Sequence, residues 1–385
     1  MSPVFSTVPR IHFGWGLAAE LAPIVAEWGG RALLVTGRQA LRQAGITERL
    51  VAGLRAAEVE VALFEEVEPE PDVTTCDRGR QLCREEAVEV VVGVGGGSVL
   101  DVAKVIAGLA KEPWPTREYH SGLRQVQPAL RAPKGGRAPT EAGLPLITVP
   151  TTSGTGAEVT PNAVITDRET RTKKSIRHDS FLARVAVVDP ELTVPLPPSV
   201  TAHSGLDAFV QAVESYTSKY AWPLTEGLSL RSAELIATCL RQAYHGGRDR
   251  EARTAMSAGS LLAGIALANA RLGIVHGLAH PLGVRLGLPH GLLCGVLLPF
   301  ATELNRNAAR TKYEVLAQVT GMDVAEFTRS LLREFGIPMD LRSAGLHRSD
   351  FADIVAEAMD SGSTKANPKQ VSEADIIHIL EALTG

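Results

Sequence analysis

The chain has 385 residues, is 45% hydrophobic and 21% charged, and carries a formal net charge of -4. That length is enough for a substantial core divided between two domains, and the slight acidity leaves no electrostatic footprint for nucleic acid and no basic run for an anionic membrane surface. The N-terminus, MSPVFSTVPRIHFG, lacks the order of a secretory signal, and the most apolar helix candidate, Leu261–Val275, is interrupted by Asn269 and Arg271, so no membrane span is expected. Cys76, Cys83, Cys239 and Cys294 are scattered without a CxxC spacing, as in a reduced cytoplasmic protein.

Residues 31–35 (RALLV) predict a buried strand ending at Thr36-Gly37, followed by a helix over Leu41–Ala57 and an apolar segment at 59–64. Glu65–Asp72 is a Pro/acid connection, and Thr74–Glu86 reads as a helix capped by Thr74 or Thr75. Next comes AVEVVVGVGGGSVLDVAKVIAGLA: a β-branched run, a glycine cluster and a helix. Residues 113–143, rich in Pro, Gly and Arg, read as a long surface loop or small hairpin. Strands are expected at Leu146–Val149, Ala163–Thr166 and Arg184–Val188, with a charged turn (DRETRTKK) after the second of these. Strands alternating with helices imply a parallel sheet covered on both faces.

Past Leu196-Pro197-Pro198 nearly every segment has helical periodicity: Thr201–Ser218, Leu224–Tyr244, Glu251–Leu272, Leu292–Arg306, Lys312–Val319, Val324–Phe335, Ser349–Met359 and Glu373–Leu383. The expected architecture is a Rossmann-like α/β nucleotide-binding domain over residues 1–194 and an all-helical metal- and substrate-binding domain over 195–385.

Two loops of the first half suit a dinucleotide. Gly95-Gly96-Gly97-Ser98 lies between a strand and a helix, where glycines let the backbone approach a pyrophosphate and free N–H groups attract its charge. Asp101, in the first turn, either caps that helix or orients Ser98. Thr151-Thr152-Ser153-Gly154-Thr155-Gly156 follows the strand ending at Val149, and its hydroxyls and amides can donate to phosphate or ribose oxygens. Open α/β sheets place such a ligand along the strand ends.

In the second half, AHSGLDAFVQAVES puts Asp207 and Gln211 four apart, and GIVHGLAHPLGVRLGLPHG puts His276 and His280 four apart, with His290 after a Gly/Pro turn. Residues four apart share a helical face. One carboxylate, two or three imidazoles and an amide converging from two helices and a loop would form a divalent-metal site with an open position. A lone histidine on an apolar helix is usually a hydrogen-bonded core residue, but several within one aliphatic stretch need partners to offset their desolvation.

The stretches GGGSVLDVAK, TVPTTSGTGAEVT and GLDAFVQAVE / GIVHGLAHPLG / LPHG together resemble the iron-containing (group III) alcohol dehydrogenase family, from about Gly30 to Pro299. The resemblance implies an NAD- or NADP-dependent oxidoreductase that interconverts small alcohols with aldehydes or ketones, with one Fe²⁺ or Zn²⁺ in an interdomain cleft. The family's metal ligands match Asp207, His276 and His290, and His280 matches a histidine that lines the substrate pocket close to the metal in many relatives; His280 or a water would pass the proton to solvent. The cofactor loops match Gly95–Ser98 and Thr151, Thr152 and Thr155, and Lys173 falls near a lysine that contacts the nicotinamide ribose. A homo-oligomer, dimer or larger, is expected by the same analogy.

Two positions depart from the family pattern. The usual second histidine ligand, four residues after the aspartate, is Gln211, whose amide oxygen is a weaker and harder donor than imidazole. Near Gly37, many NAD-specific relatives carry an acidic residue; Gly37 removes its repulsion of a 2′-phosphate and Arg38 can pair with one, which tilts the expectation toward NADP. Gln211 also keeps open a metal-independent reductase of the maleylacetate reductase type, and the scaffold keeps open a lyase like the dehydroquinate synthases or a non-catalytic nucleotide binder. A lyase of that type would need several Lys, Arg or Asn groups around an anionic substrate, whereas the histidine stretch offers mainly Ala, Leu and Gly.

Overall fold

The computed structural model describes residues 3–120, 136–170 and 172–384. Two compact units emerge, one holding Thr7–Thr152 and Ala157–Pro195 and the other running from Leu196 to the C-terminus. The N-terminal segment up to Ser6 and the short stretch Ser153–Gly156 group with the second unit. A division at 194/195 assigns both of these to the α/β half.

Among its described residues the first unit has eight strands: β1 (Arg10–Phe13), β2 (Arg31–Gly37), β3 (Glu60–Val67), β4 (Val90–Gly95), β5 (Leu146–Pro150), β6 (Asn162–Asp167), β7 (Thr172–Arg177) and β8 (Val185–Val188). Six form a parallel sheet in the order β1-β8-β5-β4-β2-β3. Helices α1 (Leu21–Ala26), α2 (Ala40–Gln43), α3 (Ile46–Ala56), α4 (Val73–Glu85) and α5 (Gly97–Gly108) alternate with the strands. Every residue of β4 is buried, the pattern of a strand covered on both faces. The chain leaves β2 toward β3 on one side and returns as β4 on the other, so the order reverses between β2 and β4. There the strands run side by side, with Val35 opposite Gly93, and their C-terminal ends carry Gly37 and Gly95. Ligands of open α/β sheets bind at such a reversal.

Several local readings need correction. β1 escapes the sequence pattern because it is a four-residue edge strand with no fully buried residue. The charged stretch after Thr166 is not all turn: Thr172–Arg177 is a strand paired antiparallel with β6, whose polar side chains suit a two-stranded ribbon. The cap of α4 is Asp72, which accepts from Thr74 N at 3.0 Å, rather than a threonine. Of the loop expected over 113–143, residues 121–135 lie outside the described residues; before them Thr116–Tyr119 forms a 3₁₀ turn. That turn is held by the buried Arg80 guanidinium, which donates to Glu112 O, Trp114 O and the Thr116 hydroxyl.

Burial also leaves a carboxyl under α5. Glu158, fully enclosed, has its pKa pushed up to about 7 by desolvation, with Lys104 opposing. Its folded pKa therefore exceeds the ordinary value of 4.5, and the folded state holds the extra proton between those limits. Stability should fall as pH rises from about 4.5 through 7, by about 1 to 3 kcal/mol. Glu158→Gln is expected to flatten that part of the urea-unfolding profile. An unchanged slope would assign it to other groups.

The second unit is built from α6 (Pro198–Thr217), α7 (Pro223–His245), α8 (Arg250–Ala270), α9 (Ile274–Leu286), α10 (His290–Asn305), α11 (Arg310–Thr320), α12 (Val324–Glu334), α13 (Phe351–Asp360), α14 (Gly362–Ala366) and α15 (Glu373–Ala382). A core cluster including Leu206, Phe209, Leu278, Leu293, Leu297 and Leu331 joins all of these except α14. Helices α6 and α10 approach closely because glycine stands at their crossing. A Cβ on Gly291 would lie 2.0 Å from His203 O, and one on Gly295 would lie 2.8 Å from Leu206 Cδ1. Among the described residues no single helix is long and apolar enough to cross a membrane.

Candidate metal centre and cofactor loops

In the α/β unit, Gly96 is the N-cap of α5, in extended conformation and with no side-chain cap, so the first N–H groups of α5 lack a side-chain acceptor. Gly93 and Gly95 permit close strand–helix packing: a Cβ at either would fall 2.6 Å from a side chain of α5, that of Ala103 or Val99. Thr151 N donates to Gly95 O at 3.0 Å, and a Cβ on Gly96 would sit 3.3 Å from Thr152 Cγ2, so the two loops adjoin. The strand-end cradle thus brings together Gly95, Gly96, Gly97, Ser98, Thr151 and Thr152 at the sheet reversal. Thr155 belongs to the stretch that groups with the helical unit.

Asp101 does a different job from capping the helix or orienting Ser98. Its carboxylate takes Lys104 Nζ at 3.2 Å and Val164 N at 2.9 Å, tying α5 to β6. Lys104 is itself fully buried and also donates to Thr160 Oγ1 and Asn162 O. Lys173, on β7, is ion-paired with Glu70. Arg38, after Gly37, is largely exposed; it donates to Glu66 O at 3.2 Å and lies 3.7 Å from the buried Glu68 carboxylate. A Cβ on Gly37 would make only ordinary contacts, 3.7 Å from Val99 Cγ2 and 3.8 Å from Val67 O.

In the helical unit, Asp207, His276, His290 and Cys294 converge with one potential donor atom each, all within 4.8 Å of one another. Asp207 comes from the middle of α6, His276 from the first turn of α9, and His290 and Cys294 from the first turns of α10. Asp207 Oδ1 lies 3.4 Å from His276 Nε2 and 3.8 Å from His290 Nε2 yet accepts no hydrogen bond. Gln211 Oε1, one helical turn further along α6, is likewise buried without a hydrogen-bond partner. Buried acceptors left without donors are costly, and a bound cation relieves that cost. His280 stacks on His290 with ring centroids 4.9 Å apart and planes 21° apart.

Two residues of this centre are not among the expected site residues. Glu214, seven residues after Asp207 on α6, meets His276 Nδ1 at 2.6 Å and also accepts from Val275 N at 2.7 Å. It therefore caps α9 and orients the imidazole so that Nε2 points toward Asp207. Gly273 is needed beside it, since a Cβ there would come 2.7 Å from Glu214 Oε1. The helical spacing 207, 211, 214 could have revealed Glu214. Cys294 is the other, four residues after His290 on the same face. Burial pushes its thiol up to about 12, against the pull of His276. Burial works against an imidazolium at His276, yet Cys294, Asp207 and Glu214 outweigh it and hold that pKa well above the ordinary value. The surroundings favour positive charge.

Adjoining glycine and threonine loops at the strand ends and a carboxylate–imidazole cluster suited to a divalent cation are features that fit one class, a metal-dependent, nicotinamide-linked oxidoreductase. Residues 9–190 match the family described as iron-containing alcohol dehydrogenase, and residues 201–384 match the C-terminal domain of the Fe-containing alcohol dehydrogenase family. The chain belongs to the iron-containing alcohol dehydrogenase family. It is 36% identical over 390 residues to long-chain-alcohol dehydrogenase 1 of Geobacillus thermodenitrificans, covering 97% of this chain and 95% of that protein. To lactaldehyde reductase of Escherichia coli strain K12 it is 31% identical over 380 residues, covering 95% and 96%. The crystal structure of a 1,3-propanediol oxidoreductase superposes with a TM-score of 0.90 at 33% identity over 100% of both chains. That of sulfoacetaldehyde reductase from Bifidobacterium kashiwanohense in complex with NAD⁺ gives 0.90 at 30% identity over 100% and 99%.

The chain is accordingly an NAD(P)-dependent oxidoreductase acting on CH–OH groups, of a metal-dependent family. The donor set fits such an ion: one carboxylate, two imidazoles and a thiol, with an orienting carboxylate behind one imidazole.

Proposed function

We propose that this protein reduces small, uncharged aldehydes, or oxidises the matching primary alcohols, with Asp207, His276 and His290 holding the metal and Gln211 offering its amide oxygen beside them. The observation that carries the reading is the convergence of Asp207, His276, His290 and Cys294 donor atoms within 4.8 Å on buried helical faces, with Asp207 Oδ1 lacking a hydrogen-bond donor. When bound, the divalent ion supplies electrostatic stabilisation of a developing alkoxide. Glu214 holds His276 in one tautomer, with Nδ1 toward the carboxylate. His280, stacked on His290, takes up or returns the substrate hydroxyl's proton. The substrate class is supported by the Ala, Leu and Gly that dominate the sequence around the histidines and by two relatives named for small uncharged substrates, lactaldehyde reductase and 1,3-propanediol oxidoreductase.

For the cofactor, Gly95, Gly96, Gly97 and Ser98 cradle the pyrophosphate at the start of α5, and Thr151, Thr152 and Thr155 contact phosphate or ribose oxygens. Asp101 acts by fastening α5 to β6. Lys173 serves the nicotinamide ribose. Gly37 and Arg38 accept a 2′-phosphate, which gives NADP the preference. Gly37→Asp has room for its side chain, and it should lower kcat/KM for NADPH by roughly tenfold or more while sparing NADH. Equal effects on both cofactors would place the discrimination elsewhere.

The free cysteines, Cys76, Cys83 and Cys294 buried and Cys239 half-buried, suit a reducing cytoplasm, and a homo-oligomer is the expected assembly. Activity is tested by following NADPH and NADH oxidation against a panel of short, long and anionic aldehydes. Turnover confined to anionic substrates, or none on any aldehyde, would overturn the substrate class.

A further inference from the structure

We infer that Cys294 Sγ is the fourth firm protein donor to the metal, standing in for the imidazole that Gln211 replaces, so that the centre is a sulfur-containing Asp/His/His/Cys site. This rests on the metal reading above and goes further, because it assigns the ion a soft ligand and hence a preference. Bonds of about 2.0 Å to nitrogen or oxygen and about 2.3 Å to sulfur give tetrahedral edges of about 3.3 Å between N and O donors and about 3.5 Å between N and S. The structure has 3.4 and 3.8 Å from Asp207 Oδ1 to the two imidazole Nε2 atoms. It has 3.9 and 3.5 Å from Cys294 Sγ to the same two atoms. The 3.4 and 3.5 Å separations match those edges, the 3.8 and 3.9 Å ones exceed them by about half an ångström, and the carboxylate distances are longer than ordinary N···O hydrogen bonds.

Local structure explains why the sulfur is available. His290 and Cys294 stand one turn apart at the start of α10, so one helical face presents both. Gly291 lets that turn press against α6, where a Cβ would meet His203 O at 2.0 Å and Asp207 Cβ at 3.2 Å. Cys294 is wholly buried, with both imidazole nitrogens within reach of its sulfur. Charge points the same way. A thiolate and the Asp207 carboxylate together neutralise a divalent ion, which the neutral Gln211 amide cannot do. Thiolate with imidazole favours Zn²⁺ and Co²⁺ more than an all-oxygen and nitrogen set does. Gln211, its Oε1 buried and without a hydrogen-bond partner, remains beside the centre as an acceptor for a hydroxyl or water.

The test is anaerobic reconstitution of the full-length protein with Co²⁺, reading bound cobalt per chain and the near-ultraviolet thiolate-to-cobalt charge-transfer band. The native protein should bind about one cobalt per chain and show the band. Cys294→Ser should lose the band and bind cobalt at least roughly tenfold more weakly, while Cys76→Ser, Cys239→Ser and Gln211→Ala keep the band. If Cys294→Ser does not fold, the native spectrum still decides. One cobalt per chain without the band, or a band that survives in Cys294→Ser, would overturn the assignment of Cys294 and leave the metal site standing. Absence of any stoichiometric cobalt in the native protein would overturn both.

Discussion

His276→Ala is expected to empty the metal site and lower kcat/KM for aldehyde reduction by about a thousandfold, the kinetic equivalent of about 4 kcal/mol. Its Nε2 lies nearer Asp207 Oδ1 than that of His290 does, and its Nδ1 is fixed by Glu214, a placement that His290 does not share. The fold should survive, because Glu214 still accepts from Val275 N and keeps α9 capped. Metal analysis and steady-state kinetics on one preparation check this. Full metal content with full turnover in the variant would remove His276 from the site.

Replacing Glu214 tests how the centre is held together. This carboxylate caps α9 through Val275 N and orients His276 through Nδ1 at 2.6 Å. Glu214→Ala removes a buried cap, a charged hydrogen bond and the restraint on the imidazole. A stability loss of about 2 kcal/mol and a fall in metal affinity of roughly 10- to 100-fold are expected. Glu214→Gln retains an acceptor oxygen but loses the charge, so it should recover most of the stability and much less of the affinity. A purely structural Glu214 would move unfolding midpoints alone and leave metal affinity at the native value in both variants, measured by competition with a chelator.

Asp207, His276 and His290 are legible in the sequence because helical periodicity puts residues four apart on one face, and polar groups stand out in aliphatic stretches. The sheet is legible for a similar reason: β2 and β4 are apolar runs followed by glycine, and β4 leads directly into α5. Glu214 and Cys294 share that helical spacing, seven residues after Asp207 and four after His290, but spacing alone does not show what each one faces. Each depends on how α9 and α10 pack on α6, and that packing is set by what Gly273, Gly291 and Gly295 allow, a three-dimensional property. Asp101 shows the opposite limit. Its place in the first turn of α5 suggests a capping role, yet tertiary structure gives its oxygens to Lys104 and Val164 N. The edge strand β1 and the polar ribbon β6–β7 escape because neither buries a continuous apolar face, the signal on which periodicity depends.

The central claim is that a divalent ion held by the α6, α9 and α10 side chains is required for turnover. Metal content of anaerobically purified protein, with NADPH and NADH oxidation assayed on the same sample before and after chelation, tests it most directly. About one iron or zinc per chain is expected, with turnover lost on chelation and restored by Fe²⁺ or Zn²⁺. Turnover undiminished in protein that carries no metal would contradict it and make the histidines substrate-binding groups of a metal-independent reductase.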